Sequence, residues 1–410
     1  MSNLPPTQRL SARTLADLPT LYASGIGWWL VCALLLGLVG LGGYAYLLQE
    51  HHGDTITGMR SMGEGGVPWG LYIMFDVYWV GVSFAAVTLA AVIRLFRFDL
   101  LKPLSRLSEL VALISVMLGG CSVMADQGRP LQALINLPAY GRPASPFFGT
   151  FSMIMGGYLC ASWVYFYLSS RADAGHCVRL NTSWRWVYRI WAMGFKGQQS
   201  EHLRHHRVTF WLSLIILPLI VIAYSTLGFV FGIQSGRPGW YSALQAPAFV
   251  VLAGVSGLGV LIVLAAGIRY FVKLEDIIQE RAFWWLGNAL GVLTLIYIYI
   301  LAVEELTATY AAQPAETLIA REIVWKSYAP LFWTMVVSLV LAFAILFTFF
   351  LRKRTWIPGL VVAGILVNVA AILKRFLIII PSQTHGMLLP YPTGVYTPTW
   401  IEYAVVVGVA

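Results

Sequence analysis

Charge is what this chain has least of. Asp, Glu, Lys and Arg make up 11% of its 410 residues, while 59% are hydrophobic. Soluble domains carry about 25% charge. A deficit of that size excludes a water-soluble enzyme, a disordered chain and a DNA-binding domain, in spite of a net charge of +9. Cysteine is scarce as well. Cys32, Cys121, Cys160 and Cys177 are scattered with no C-x-x-C, which excludes a local iron–sulfur or zinc set. Histidine is missing from the middle of every long apolar run. A transmembrane haem needs His ligands at mid-depth, and only His51 and His52, at an outer edge, come near that role. No haem or metal is therefore expected in this chain. His202, His205 and His206 have metal-like spacing, but among Arg204 and Arg207 they read as the start of a solvated basic helix. A P-loop is lacking, which excludes an ATP-driven pump. Residues 1–25 are polar and contain Pro5, Pro6 and Pro19, so no cleavable leader is read and the first helix is expected to act as an uncleaved anchor.

What fills the chain instead is long apolar runs. A spanning helix needs roughly 20 mostly apolar residues. Ten runs lie near 27–49, 68–93, 107–126, 148–170, 208–233, 247–271, 283–303, 327–351, 356–380 and 398–410. They are continuous rather than alternating, which excludes a β-barrel. The expected fold is an all-α integral membrane protein of about ten transmembrane helices. A cytoplasmic segment 1–26 precedes a single membrane domain, 27–410. Within it, helices two to five (about 68–233) form one bundle and helices six to nine (about 247–380) a second. The tenth run is shorter than a full span.

Basic residues set the orientation. With the N-terminus in the cytoplasm, Arg94, Arg97, Lys102 and Arg106 fall on that side, as do the basic residues of loop 171–206. Arg269, Lys273 and Arg281, then Arg352, Lys353 and Arg354, join them. Arg60, Arg129, Arg142, Arg237, Arg321 and Lys326 fall opposite. Both termini are thus cytoplasmic in a multi-pass protein of the cell inner (cytoplasmic) membrane. The basic surplus is a topogenic signal and a lipid contact rather than a nucleic-acid surface. Aromatics mixed with Arg from Trp184 to Phe195 predict an interfacial amphipathic helix. Glycines 37, 40 and 42, and 254, 257 and 259, match close helix packing.

An ionisable group inside a span is costly and marks a candidate site. Asp76 lies eight residues past Pro68, about 12 Å below the outer end of the second helix. Tyr72 and Trp69 stand above it on the same face, and Ser83 continues the stripe inward. Asp126 ends the third helix on the same side, followed by Arg129; an interfacial salt bridge between them is the plain structural alternative. Tyr158 projects at similar depth from the fourth helix, and Tyr224, Ser225 and Thr226 form a polar cluster in the fifth. These four helices converge on one polar pocket. A buried carboxylate such as Asp76 is suited to proton exchange. A second group comprises Glu304 and Glu305 at the end of the seventh helix, Asn368, Lys374 and Arg375 in the ninth, and Glu402 opening the tenth. A proton pathway and a static ion-pair network account for it equally.

Four stretches resemble the NrfD/PsrC family, the polytopic quinone-interacting subunits of polysulfide-reductase-like complexes. They are Val67-Pro68-Trp69-Gly70 running on to Asp76, Asp126-Gln127-Gly128-Arg129-Pro130, Tyr224-Ser225 through Gly228 to Arg237-Pro238-Gly239-Trp240, and Lys374-Arg375 with Tyr396-Thr397-Pro398-Thr399-Trp400-Ile401-Glu402. The resemblance implies a quinone site, for menaquinone or ubiquinone, on the outer half of helices two to five. It also implies an extracytoplasmic ferredoxin-like iron–sulfur subunit that caps the site, with a further catalytic or cytochrome subunit beyond. Asp76, Asp126 and Arg129 fall on family site positions, with Trp69, Tyr72, Tyr158 and Tyr224 beside them. At Tyr224 the chain departs from hydrogenase and alternative-complex-III members, which carry His. The expectation is a membrane anchor exchanging electrons between the quinone pool and that partner, with proton translocation as a further role. A secondary transporter of a small solute is the reading from another class.

Overall fold

The computed structural model describes residues 25–59, 67–140, 152–179, 185–195, 198–310, 313–385, 394 and 396–410. The N-terminal segment expected over 1–26, the loop residues Arg60 and Arg142, and the His202 side chain lie outside the described residues apart from Gly25 and Ile26. Among the described residues the chain is helical, and its one isolated bridge joins Met59 to Val67.

In chain order the helices are α1 (Ile26–His52), α2 (Leu71–Leu95), α3 (Lys102–Asp126), α4 (Pro130–Tyr140), α5 (Ser152–Arg179), α6 (Arg185–Ala192) and α7 (Gln199–Gly232). They continue as α8 (Gln245–Phe271), α9 (Glu280–Tyr310), α10 (Pro314–Trp325), α11 (Ala329–Arg352), α12 (Ile357–Ile379), α13 (Pro381–Thr384) and α14 (Trp400–Val409). All ten apolar runs become helices. Eight are long and apolar enough to span a membrane: α1, α2, α3, α7, α8, α9, α11 and the α12–α13 stretch. Helix α5, with 28 residues, has the length but is more polar, and α14 is a shorter apolar helix of 10 residues. The chain is an all-α, multi-pass membrane protein.

Helix α2 is the axis of the assembly. It packs on α3, α7, α8 and α12 and is buried along most of its length. Close approach follows from small residues, because in lipid helices associate by packing rather than by hydrophobic exclusion of water. A Cβ on Gly257 of α8 would meet Val82 O of α2 at 3.0 Å, and Gly259 of α8 abuts Gly364 of α12. Gly254 sits against Leu293 of α9. The expected packing role therefore holds for these three. It does not hold for Gly37 and Gly40, which face open space, whereas Gly42 meets the Cα of Gly408. That contact fastens α1, otherwise mostly exposed to its surroundings, to α14.

One end of the bundle is basic. Helices α2, α8 and α11 finish there, each followed at once or within two residues by a basic residue in the left-handed region: Arg97, Lys273 and Lys353. Cations at these C-termini also complement the helix dipoles. The expected interfacial helix is α6. Trp191 packs on Trp163, Phe166 and Tyr167 and donates to Ser170 Oγ, while Trp186 and Ile190 stay exposed.

Candidate functional site

The candidate residues gather at the end opposite the basic one. Pro68-Trp69-Gly70 leads into α2, and its backbone is held from both sides. Gln383 on α13 accepts from Trp69 N at 3.1 Å and donates to Trp69 O at 3.0 Å. The Trp69 ring stacks on Trp240, with centroids 5.5 Å apart and planes at 14°, and meets Phe231 edge-on. Trp240 Nε1 donates to Ile378 O at 2.7 Å, and Arg237 lies over its ring. Gly70 is required here, since a Cβ would collide with Met59 at 2.8 Å and with the Tyr396 hydroxyl. That hydroxyl accepts from Leu71 N at 2.9 Å and donates to Glu402 Oε1 at 2.5 Å. Burial first, and then the Glu402 carboxylate, hold the Tyr396 phenol well above its ordinary range, so it stays a donor.

Below this collar are the buried acids. Asp76 is 3% exposed, and no described residue hydrogen-bonds its carboxylate. Gly119 of α3 leaves room for it; a Cβ there would stand 3.1 Å from Asp76 Oδ1. Asp126, also buried, ends α3 on the same side of the bundle. Tyr72 donates to Gln49 Oε1 at 2.7 Å. Gln49 in turn donates to Asp54 Oδ1 at 2.9 Å and to Ala125 O at 3.2 Å. Tyr158 and Ser83 hydroxyls are 2.6 Å apart, and Ser83 donates on to Ala112 O. Arg129 is exposed and forms no ion pair with a described residue, so the alternative of a salt bridge with Asp126 is not realised.

Tyr224 is committed to the protein. Its hydroxyl donates to Val77 O at 3.0 Å and accepts from Arg375 Nη2 at 2.9 Å. Gly81 makes space for that hydroxyl, and Phe84 stacks on its ring. Arg375 is 2% exposed, with its guanidinium 4.1 Å from the Phe249 ring centroid and Nη1 without a described partner. A desolvated cation–π contact of this kind is worth about 2 kcal/mol.

The second group divides. Lys374 Nζ pairs with Glu304 Oε2 at 2.9 Å, with Glu305 and Tyr297 near. Arg375, one residue on, turns the other way to Tyr224. Asn368 accepts from Tyr78 OH at 2.8 Å. Glu402 is brought to α2 instead. Its Oε2 accepts from Gly58 N at 2.8 Å and from Thr399 N at 3.0 Å, closing a capping box with Thr399.

Three groups that matter here are absent from the sequence-based candidates, Gln49, Gln383 and Glu109, while Tyr396 stands there only as part of the closing motif. The two glutamines are neutral, so charge does not mark them. Glu109 is a charge within a run and was legible; it is buried at the basic end between Arg94 and Arg106, accepting from Ser169 Oγ as well. Among the described residues, no group of three or more His, Cys, Asp or Glu is arranged to hold a metal ion.

The family description "Polysulphide reductase, NrfD" matches residues 61–385. The chain belongs to the NrfD family. Three relatives are similar to it over most of its length. A putative dimethyl sulfoxide reductase membrane subunit of Halobacterium salinarum is 32% identical over 290 residues, covering 70% of this chain and 61% of the relative, which is under two thirds of that relative's length. A selenate reductase subunit of Mesobacillus selenatarsenatis is 23% identical, covering 83% and 82%. An Hdr-like menaquinol oxidoreductase integral membrane subunit of Archaeoglobus fulgidus is 24% identical, covering 87% and 80%. The NrfD match runs from the segment before Trp69 to Gln383; Gln49 and Asp54 lie before it, and Tyr396 and Glu402 lie beyond it.

Proposed function

We propose that this NrfD-family chain is the membrane anchor of a quinone-linked oxidoreductase complex. It exchanges electrons between the quinone pool and an extracytoplasmic iron–sulfur subunit, with the basic end in the cytoplasm. A further catalytic or cytochrome subunit completes the complex. The observation that carries this is Asp76: a carboxylate buried between α2 and α3, unbonded by any described residue, below an aromatic collar. A quinone, as menaquinone or ubiquinone, supplies the two-electron, two-proton chemistry. The residues fit it: apolar and aromatic walls suit the ring, and a free carboxylate suits a proton. Asp76 holds or releases a proton at Oδ1 or Oδ2, and Asp126 biases that exchange by like-charge repulsion. In this reading Trp69 and Tyr72 stand on the outer side of Asp76, Ser83 with its partner Tyr158 stands on the inner side, and Tyr224 positions Arg375 rather than the ring. Arg129, at the exposed rim, is suited to the partner or to the ring's approach. Relatives named as reductase and menaquinol oxidoreductase membrane subunits support this over solute transport.

The test is Asp76→Asn in the isolated complex, assayed with a soluble quinol analogue. Turnover falls by about 10²–10⁴-fold, the range a positioned proton acceptor contributes, with the fold retained in thermal unfolding. Normal turnover and normal inhibitor binding would remove Asp76 from the mechanism. Glu304, Glu305, Asn368, Lys374 and Arg375 form the proposed proton pathway, with Asn368 meeting α2 at Tyr78 and Arg375 meeting α7 at Tyr224; Glu402 contributes from the α2 side.

A further inference from the structure

The basic end holds a cavity that the quinone chemistry leaves unused. It has a volume of about 840 Å³ and lies between the ends of α2, α3, α5 and α7. Five Lys or Arg side chains line it against two Asp, with His205 and His206 beside them. Two of the five are already neutralised. Arg94 and Arg106 both pair with the buried Glu109, and Arg106 Nε reaches Asp173 Oδ2 at 2.6 Å. These contacts make a fixed wall. The side chains of Arg97, Lys102 and Arg207 are exposed and make no ion pair with any described residue. Arg97 also holds φ 53°, a left-handed position just past a helix end where glycine is the common residue. Of the two Asp in the lining, Asp173 is taken by Arg106, so the three free cations face Asp99 alone, and a bound anion lowers their mutual repulsion.

The surroundings say which anion. Arg171, two residues before Asp173, donates to Ala192 O and Met193 O at 2.9 Å each and so docks the interfacial helix α6 beside the cavity. The Phe195 ring, just past α6, meets His205 at 6.3 Å. The cavity is thus level with a helix whose Trp186 and Ile190 are 64% and 67% exposed, as expected at a headgroup boundary. Phe98 and Phe210 add apolar wall, and α7 continues from the cavity with Trp211, Leu214 and Ile215 exposed. A ligand with an anionic head and an apolar tail satisfies both parts. We infer that this cavity binds the phosphate headgroup of an acidic phospholipid from the leaflet at the basic end, with its acyl chains lying along α7. Inorganic phosphate shares the head chemistry and has no match for the apolar flank.

Thermal unfolding of the delipidated full chain in neutral detergent tests this. Phosphatidylglycerol is expected to raise Tm saturably, while phosphatidylcholine and inorganic phosphate at equal concentration do not. Arg97→Gln and Arg207→Gln each weaken the apparent affinity by about fivefold, the effect of one basic side chain at an anionic headgroup. Because both side chains are exposed, the Tm without lipid stays at the wild-type value. An equal shift with phosphatidylcholine, the same shift with inorganic phosphate, or unchanged affinity in both variants overturns the assignment.

Discussion

Arg375 and Lys374 are neighbours in sequence that serve different surroundings. About 100° of helix rotation separates them, so Lys374 reaches Glu304 on α9 while Arg375 reaches Tyr224 on α7. Tyr224 therefore acts as an anchor for a buried cation. Tyr224→Phe keeps the stacking on Phe84 and deletes the acceptor for Arg375 Nη2. That leaves a buried charged donor unsatisfied, which costs about 1–3 kcal/mol; the expected outcome is a lower Tm, and an unchanged Tm contradicts the anchoring role. Charge in an apolar run was the legible signal for Asp76, Asp126, Lys374 and Arg375, because charge at such positions is rare and costly. It was silent for Gln49 and Gln383, whose amides do much of the bonding around Tyr72 and Trp69. It also grouped Glu402 with Lys374, because linear order does not tell which helix returns to which.

At the scale of elements, all ten helical runs were legible, since continuous hydropathy over a membrane's thickness arises in few other settings. Which helix faces meet was not. Gly37, Gly40 and Gly42 look alike in the sequence, yet only Gly42 touches a partner helix. A Cβ on Gly408 would approach Gly42 Cα at 2.7 Å. Gly408→Leu is therefore expected to separate α14 from α1 and cost about 1–3 kcal/mol of overpacking. Gly40→Leu, in open space, leaves the Tm of the purified chain unchanged. Equal effects from the two substitutions would contradict the α1–α14 contact.

Across the whole molecule, the two polar ends have different chemistry. One holds buried acids, aromatics and Arg375; the other holds Glu109 between arginines, with free cations at its rim. Helix α2 runs between them and packs on helices of both expected bundles, and α12, which packs on α2, also carries Lys374 of the Lys374–Glu304 pair. If that connection moves protons, proteoliposomes of the complex release protons beyond those of quinol chemistry, and Lys374→Met abolishes the excess. Only scalar protons from the wild type would remove the pathway and leave the quinone site in place. The proposed quinone site is the space around Asp76 between α2 and α3. Photoaffinity labelling of the complex with an azidoquinone, followed by peptide mapping, tests it most directly. Label is predicted in the peptides carrying Trp69–Ser83 and Gly119–Arg129, and competition by unlabelled quinone should remove it. Competable label confined to other helices, or none at all, would contradict this placement.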